Sequence, residues 1–117
     1  MEISCADLTP ELRHITLSGR MDILGTDTIS ARFTEYSTER KRHVVVDFTG
    51  VTFLASIGIR ALISNAKALH KLGGRMALVV GDNTSVARTL DATGIDVLLQ
   101  TYGSVDNAAA ALTAMTA

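Results

Sequence analysis

Between Val44 and Val80 two apolar runs flank a helical stripe, and that order constrains the fold more than any other feature of the chain. Val44-Val45-Val46-Asp47-Phe48 is a continuous, β-branched run, the pattern of a strand covered on both faces. Ile59, Leu62, Ile63, Ala66 and Leu69 then trace one face of a helix, with Arg60, Asn65, Lys67, His70 and Lys71 elsewhere on the wheel. Gly73-Gly74 supplies a stop, and Met76-Ala77-Leu78-Val79-Val80 is a further buried run. Strand, helix, strand over this length is a parallel βαβ unit with a right-handed crossover.

Upstream, residues 2–8 and 12–18 read as two short strands joined by Leu8-Thr9-Pro10-Glu11, a β-hairpin closed by Gly19. Gly19-Arg20-Met21-Asp22 leads into a helix with Ile29, Phe33 and Tyr36 on its inner face and Asp27, Ser30, Arg32 and Glu35 toward water. The cluster Glu39-Arg40-Lys41-Arg42-His43 ends that helix, its cations placed to offset the helix dipole. Thr49-Gly50 is expected to turn the chain before the apolar stretch Val51–Ala55, which leads to Ser56.

Downstream, Gly81-Asp82-Asn83-Thr84 holds an N-cap for a helix carrying Val86, Ala87 and Leu90, stopped at Gly94. A short last strand is expected at Leu98-Leu99-Gln100. Ser104 caps a terminal helix from Val105 to about Met115, anchored by Val105, Ala108 and Leu112. The expected class is α/β, a mixed sheet of about four or five strands with about four helices, forming one domain over residues 1–117.

Composition excludes several functions. The 117 residues suffice for a core that needs no staples. Eleven Lys+Arg against twelve Asp+Glu leave a net charge of −1, which argues against nucleic-acid binding and against a membrane-surface partner. A single cysteine, Cys5, offers neither an internal disulfide nor a metal-ligand cluster. Aromatic residues are 4% of the chain with no Trp, thin for base stacking. No apolar segment approaches the roughly 18–20 residues of a membrane span, and Met1–Asp7 has no signal-peptide pattern. The expectation is a soluble cytoplasmic chain with no cofactor.

Catalysis finds little support. His14, His43 and His70 share no ligand spacing and read as solvated side chains. Gly73-Gly74 follows a helix instead of opening one, so it is no phosphate loop. Asp47 ends the central strand, where α/β enzymes often keep an acid, but has no evident base or nucleophile beside it. Ser56 is more informative, and it carries two readings. It is a standard N-cap, and it is also a phosphate seat, with the amides of Ile57, Gly58 and Ile59 and the helix dipole favouring added negative charge. Ile57 either forms an apolar lip beside Ser56 or packs under the preceding loop.

The stretch from Val44 through Asp47, Val51-Thr52-Phe53 and Ala55-Ser56-Ile57-Gly58-Ile59 resembles the signature of STAS domains, the anti-sigma factor antagonist family. That signature is an apolar strand, an Asp, a short loop, then Asp-Ser-Ser/Thr-Gly-Leu opening a helix. Gly19-Arg20-Met21-Asp22 resembles the family's Gly-x-x-Asp, and Gly73-Gly74 and Thr93-Gly94-Ile95 also fit, so the likeness covers roughly residues 3–115. It implies a non-enzymatic partner-switching protein. Such a protein binds an anti-sigma factor, commonly a serine kinase of the histidine-kinase-like ATPase fold, and so frees a sigma factor. Phosphorylation of the motif serine ends the binding, and a PP2C-type phosphatase restores it.

Carried over residue by residue, the resemblance makes Ser56 the phosphoacceptor, Gly58 the motif glycine and Asp22 the matching acid of the earlier loop. Asp22, Ala55, Ile57, Gly58, Ile59 and Arg60 would form the partner face, within loops 19–25 and 49–55 and the helix start at 56–60. The chain departs from the pattern at Ala55, where the family has Asp, and at Ile57, where it has a second hydroxyl. Arg60 adds a cation in the first helical turn. Two other functions fit the same residues: a STAS accessory subunit of a lipid-handling ABC transporter, and a nucleotide-binding sensor using the phosphate seat at Ser56.

Overall fold

A computed structural model describes residues 1–39, 43–95 and 99–116. The elements run β1 (Glu2–Thr9), β2 (Leu12–Met21), α1 (Ile23–Thr38), β3 (His43–Leu54), α2 (Ser56–Lys71), β4 (Met76–Val79), α3 (Thr84–Thr93), β5 (Thr101–Tyr102) and α4 (Val105–Thr116). The five strands form one sheet in chain order; β1 and β2 pair antiparallel and every later pair is parallel. Because sheet order follows chain order, right-handed crossovers place all three connecting helices on one face. That face holds the larger core, where Ile29 and Phe33 of α1, Leu62 and Leu69 of α2 and Val86 and Leu90 of α3 meet Ile15, Val46, Phe48 and Leu78. Helix α4 covers the other face, setting Ala108 and Leu112 on Val45, Ala77 and Val79.

The mixed sheet, the hairpin and the βαβ unit stand as expected, with several local differences. Thr49-Gly50 is no turn, because β3 runs unbroken from His43 to Leu54. Two bulges absorb the extra residues: Asp47 and Gly50 oppose Thr16 and Ser18, and Val51 and Phe53 oppose Gly19 and Arg20. Thr49 donates its amide and its hydroxyl to Asp47 Oδ1, at 2.9 and 2.7 Å. Asn83 closes the bulge from outside, its Nδ2 donating to the carbonyls of Phe48 (3.0 Å) and Val51 (2.6 Å). The same side chain caps α3 by accepting from Val86 N–H at 3.2 Å. Gly19 does not close the hairpin either. It takes a φ of 100° inside β2, and the strand continues to Met21.

The last strand lies at Thr101–Tyr102, not at Leu98-Leu99-Gln100; Leu98 falls outside the described residues. The basic run Arg40-Lys41-Arg42 also falls outside them, whereas Glu39 pairs with the buried Arg13 at 3.1 Å. Arg13 further binds Asp7 at 2.7 Å and the Tyr36 carbonyl at 3.2 Å, tying β1 and the end of α1 to β2. Helix α2 ends at Gly73-Gly74 as expected, with Gly74 N–H on the Leu69 carbonyl and Gly73 N–H on that of His70, each at 3.0 Å. Asn65, off the apolar stripe of α2, is nevertheless buried.

Candidate functional site

Strands β2 and β3 end side by side, where Ala55 N–H donates to the Met21 carbonyl at 3.0 Å. Helices α1 and α2 both start at this point, at the carboxyl edge of the parallel strands, where α/β sheets place their binding surfaces. Two glycines allow the close approach. A Cβ at Gly25 would strike the Arg20 carbonyl, and a Cβ at Gly58 would lie 2.7 Å from Met21 Cγ and 2.9 Å from Leu54 Cδ1. Asp22 is the N-cap of α1, accepting Gly25 N–H on Oδ1 at 2.8 Å, and Arg20 Nε lies 3.4 Å from its Oδ2. The Gly25 hydrogen bond, with Arg20 second, holds the Asp22 carboxyl below the usual carboxylate range.

Ser56 does not cap α2. Ala55 holds the N-cap position with no side-chain bond, and Ser56 is the first helical residue. Its side chain is exposed, and among the described residues its hydroxyl makes no hydrogen bond. Two of the three amides expected to be free are engaged, since Gly58 and Ile59 N–H both donate to the Ala55 carbonyl, at 3.0 and 3.2 Å. Of the three amides expected to be free, only that of Ile57 is left beside the helix dipole and Arg60, an exposed cation one turn further on.

Ile57 faces solvent at 39% exposure, which settles its two readings in favour of the apolar lip. Gly58 and Ile59, expected on the partner face, are buried; Gly58 rests on Met21 and Leu54, and Ile59 joins the core. The stretches 19–25 and 49–55 also hold exposed side chains that the sequence reading did not name individually. Ile23 and Leu24, at the start of α1, are 75% and 77% exposed, and Phe53 is 42% exposed with the Arg20 guanidinium 4.7 Å from its ring centroid. Ile23 and Leu24 are apolar yet stand off the Ile29–Phe33–Tyr36 stripe, and that mismatch is the signal that could have found them. The loops 19–25 and 49–55 turn out to be strand as far as Met21 and Leu54.

The histidines differ from expectation as well. His43 is buried, and its Nδ1 accepts Arg75 N–H at 3.0 Å. Burial, with Arg75 second, pushes its imidazole below the ordinary value. His14 Nε2 lies 3.5 Å from Asp47 Oδ2 and 3.3 Å from Thr16 Oγ1, so Asp47 has a basic neighbour that the linear sequence does not display. His70 is exposed on α2 as expected. Among the described residues no group of three His, Cys, Asp or Glu could hold a metal, and no helix is long and apolar enough to cross a membrane.

A sequence model of the STAS domain matches residues 6–108, nearly the whole chain. The chain belongs to the STAS family. This STAS domain is similar to an anti-sigma F factor antagonist of Paenibacillus polymyxa, 29% identical over 95 residues and covering 80% of each chain. In fold it is similar to an anti-sigma factor antagonist from Mycobacterium paratuberculosis, with a TM-score of 0.85 at 21% identity over 96% of this chain and 93% of that one. It is also similar to the Bacillus cell fate determinant SpoIIAA in its phosphorylated form, with a TM-score of 0.67 at 18% identity over 92% of this chain and 96% of that one. The structural likenesses show the fold.

Proposed function

We propose that this STAS domain is an anti-sigma factor antagonist that acts by partner switching and catalyses nothing itself. The carrying observation is the group of exposed apolar side chains, Ile23, Leu24, Phe53 and Ile57, borne on the chain ends that meet where the unbonded hydroxyl of Ser56 opens α2. Large exposed apolar side chains grouped beside a polar rim mark a protein contact surface. Its partner is an anti-sigma factor, a serine kinase of the histidine-kinase-like ATPase fold, whose capture releases a sigma factor. The curated relative is named for that activity, which supports the reading.

A phosphoryl group on Ser56 brings about −2 charges to the middle of this face. Helix α2 tolerates it, because negative charge at a helix N-terminus is favourable and Arg60 is within a turn. The docked partner does not, because apolar contacts beside Ser56 would have to bury that charge. Ala55 and Ile57 leave the serine without a neighbouring acid, so recognition by the kinase rests on shape and apolar contact. A PP2C-type phosphatase would reset the switch.

The test is to tag the chain in its native cells, pull it down and identify the co-purifying proteins and any phosphate on Ser56 by mass spectrometry. A kinase-like anti-sigma factor, with part of Ser56 phosphorylated, is the expected result. The same partner with Ser56 always bare would remove the phosphorylation step. Subunits of a transporter in its place would overturn the reading.

A further inference from the structure

A second site lies at the far end of α2, where a cavity of about 350 Å³ opens between the helix and the start of β4. Its floor is apolar, made by Ile63 and Ala66 of α2, Met76 of β4 and Leu99. Its rim is basic: Lys67, His70 and Lys71 from the last turns of α2, and Arg75 from the turn into β4. Cations near a helix C-terminus offset the dipole, but that accounts only for the last turn. Helix α2 carries Arg60, Lys67 and Lys71 and none of the twelve acidic residues of a chain whose net charge is −1. Among the described residues, Lys67, Lys71 and Arg75 form no ion pair. Three unpaired cations around one apolar cleft are a concentration of charge that the fold does not use.

The geometry points to a binding site for a single-chain amphipathic anion, an alkyl carboxylate whose chain lies on Ile63, Ala66, Met76 and Leu99 and whose headgroup meets the Lys67–Lys71–Arg75 rim. The volume is within the range of small-molecule pockets, and the half-open shape admits one chain from solvent. A nucleotide fits less well. Among the described residues, the side chains lining the cleft include no amide, hydroxyl or carboxylate to read a base edge, and the phosphates would meet the rim with the base left on bare hydrocarbon. The site stands about 20 Å along α2 from Ser56 at the helical rise per residue, so it is separate from the docking face and independent of the partner-switching reading.

The test is an NMR titration of the full isotope-labelled chain with decanoate below its micelle concentration. Saturable binding is expected, with shifts at the amides of Ala66, Lys67, Gly74 and Met76 and none at Ile23 or Ser56. Octanoate, two methylenes shorter, should bind about fifteenfold more weakly, since each buried methylene is worth about a fourfold change. Decyltrimethylammonium, with the same chain and opposite charge, should bind about tenfold more weakly or worse. Lys67→Glu with Lys71→Glu, both on exposed side chains, should weaken decanoate about tenfold, and Ala66→Trp should fill the cleft and abolish binding. If the tryptophan variant does not fold, the charge reversals carry the test. Equal affinity for the cationic amphiphile, shifts at the docking face, unchanged binding in the charge reversals, binding of GTP or anionic vesicles in place of decanoate, or no saturation would each overturn the proposal. A failed titration would leave the partner-switching reading standing.

Discussion

Gly58 occupies a space that any other side chain would overfill, because Met21 and Leu54 already close on it from the ends of two strands. Alanine would gain about 1 kcal/mol of helix propensity at this position and lose about 1–3 kcal/mol to overpacking. Since both neighbours lie closer than a real Cβ tolerates, the overpacking wins. Gly58→Ala should lower the urea midpoint at an unchanged slope. Residue roles at this site were only partly legible in the sequence. The cap reading of Ser56, one of its two, arises because helix starts are indistinct by a residue or two in a sequence. One residue of shift turns a satisfied cap into a free hydroxyl, and only Ala55, with its extended backbone at ψ 167°, decides the matter. His43 reads as solvated from the sequence because it shares no ligand spacing with the other histidines. Its burial depends on Arg75 arriving from the other end of the βαβ unit, a pairing that linear spacing does not reveal.

At the scale of elements, the apolar runs and helical stripes were legible because their periods repeat over many residues. The bulged half of β3 was not. Thr49-Gly50 has turn composition, and what keeps it in a strand is register against β2 and the carboxamide of Asn83, which is distant in sequence. Asn83→Ala removes a cap worth about 1 kcal/mol and leaves the Phe48 and Val51 carbonyls without their donor, for a total loss of about 2–4 kcal/mol. Asn83→Asp keeps the cap oxygen but turns a carboxylate oxygen toward the two carbonyls in place of the Nδ2 donor, so it should lose at least as much as alanine in a denaturant titration. Because the bulge delivers Phe53 and Ala55 to the surface proposed for docking, both variants should also weaken partner binding.

For the whole molecule, stability should depend on pH in two separate windows. His43 has a folded value below its ordinary 6.5. Below that pH the unfolded chain takes up a proton that the folded chain refuses, so stability falls as pH drops from 6.5 toward the folded value and then levels. Asp22 acts lower down: its stabilisation is full above 3.8 and is lost as pH falls through its depressed folded value. Urea midpoints measured across this range should show both steps, and His43→Gln should remove the upper one. The architecture itself was largely legible, since a sheet in chain order needs only local patterns and the right-handed rule. The surface proposed for the partner was less so, because it is assembled from the ends of β2 and β3 and the starts of α1 and α2, and the exposure of Ile23 or Leu24 is visible only once the core is known to exclude them. The central claim is tested most directly by calorimetric titration of the recovered anti-sigma factor against wild type, Ser56→Asp and the double variant Ile23→Ser, Leu24→Ser. Wild type should form a saturable complex and each variant should bind about a hundredfold more weakly, with folding stability within about 0.5 kcal/mol throughout. Wild-type affinity in either variant would contradict that claim.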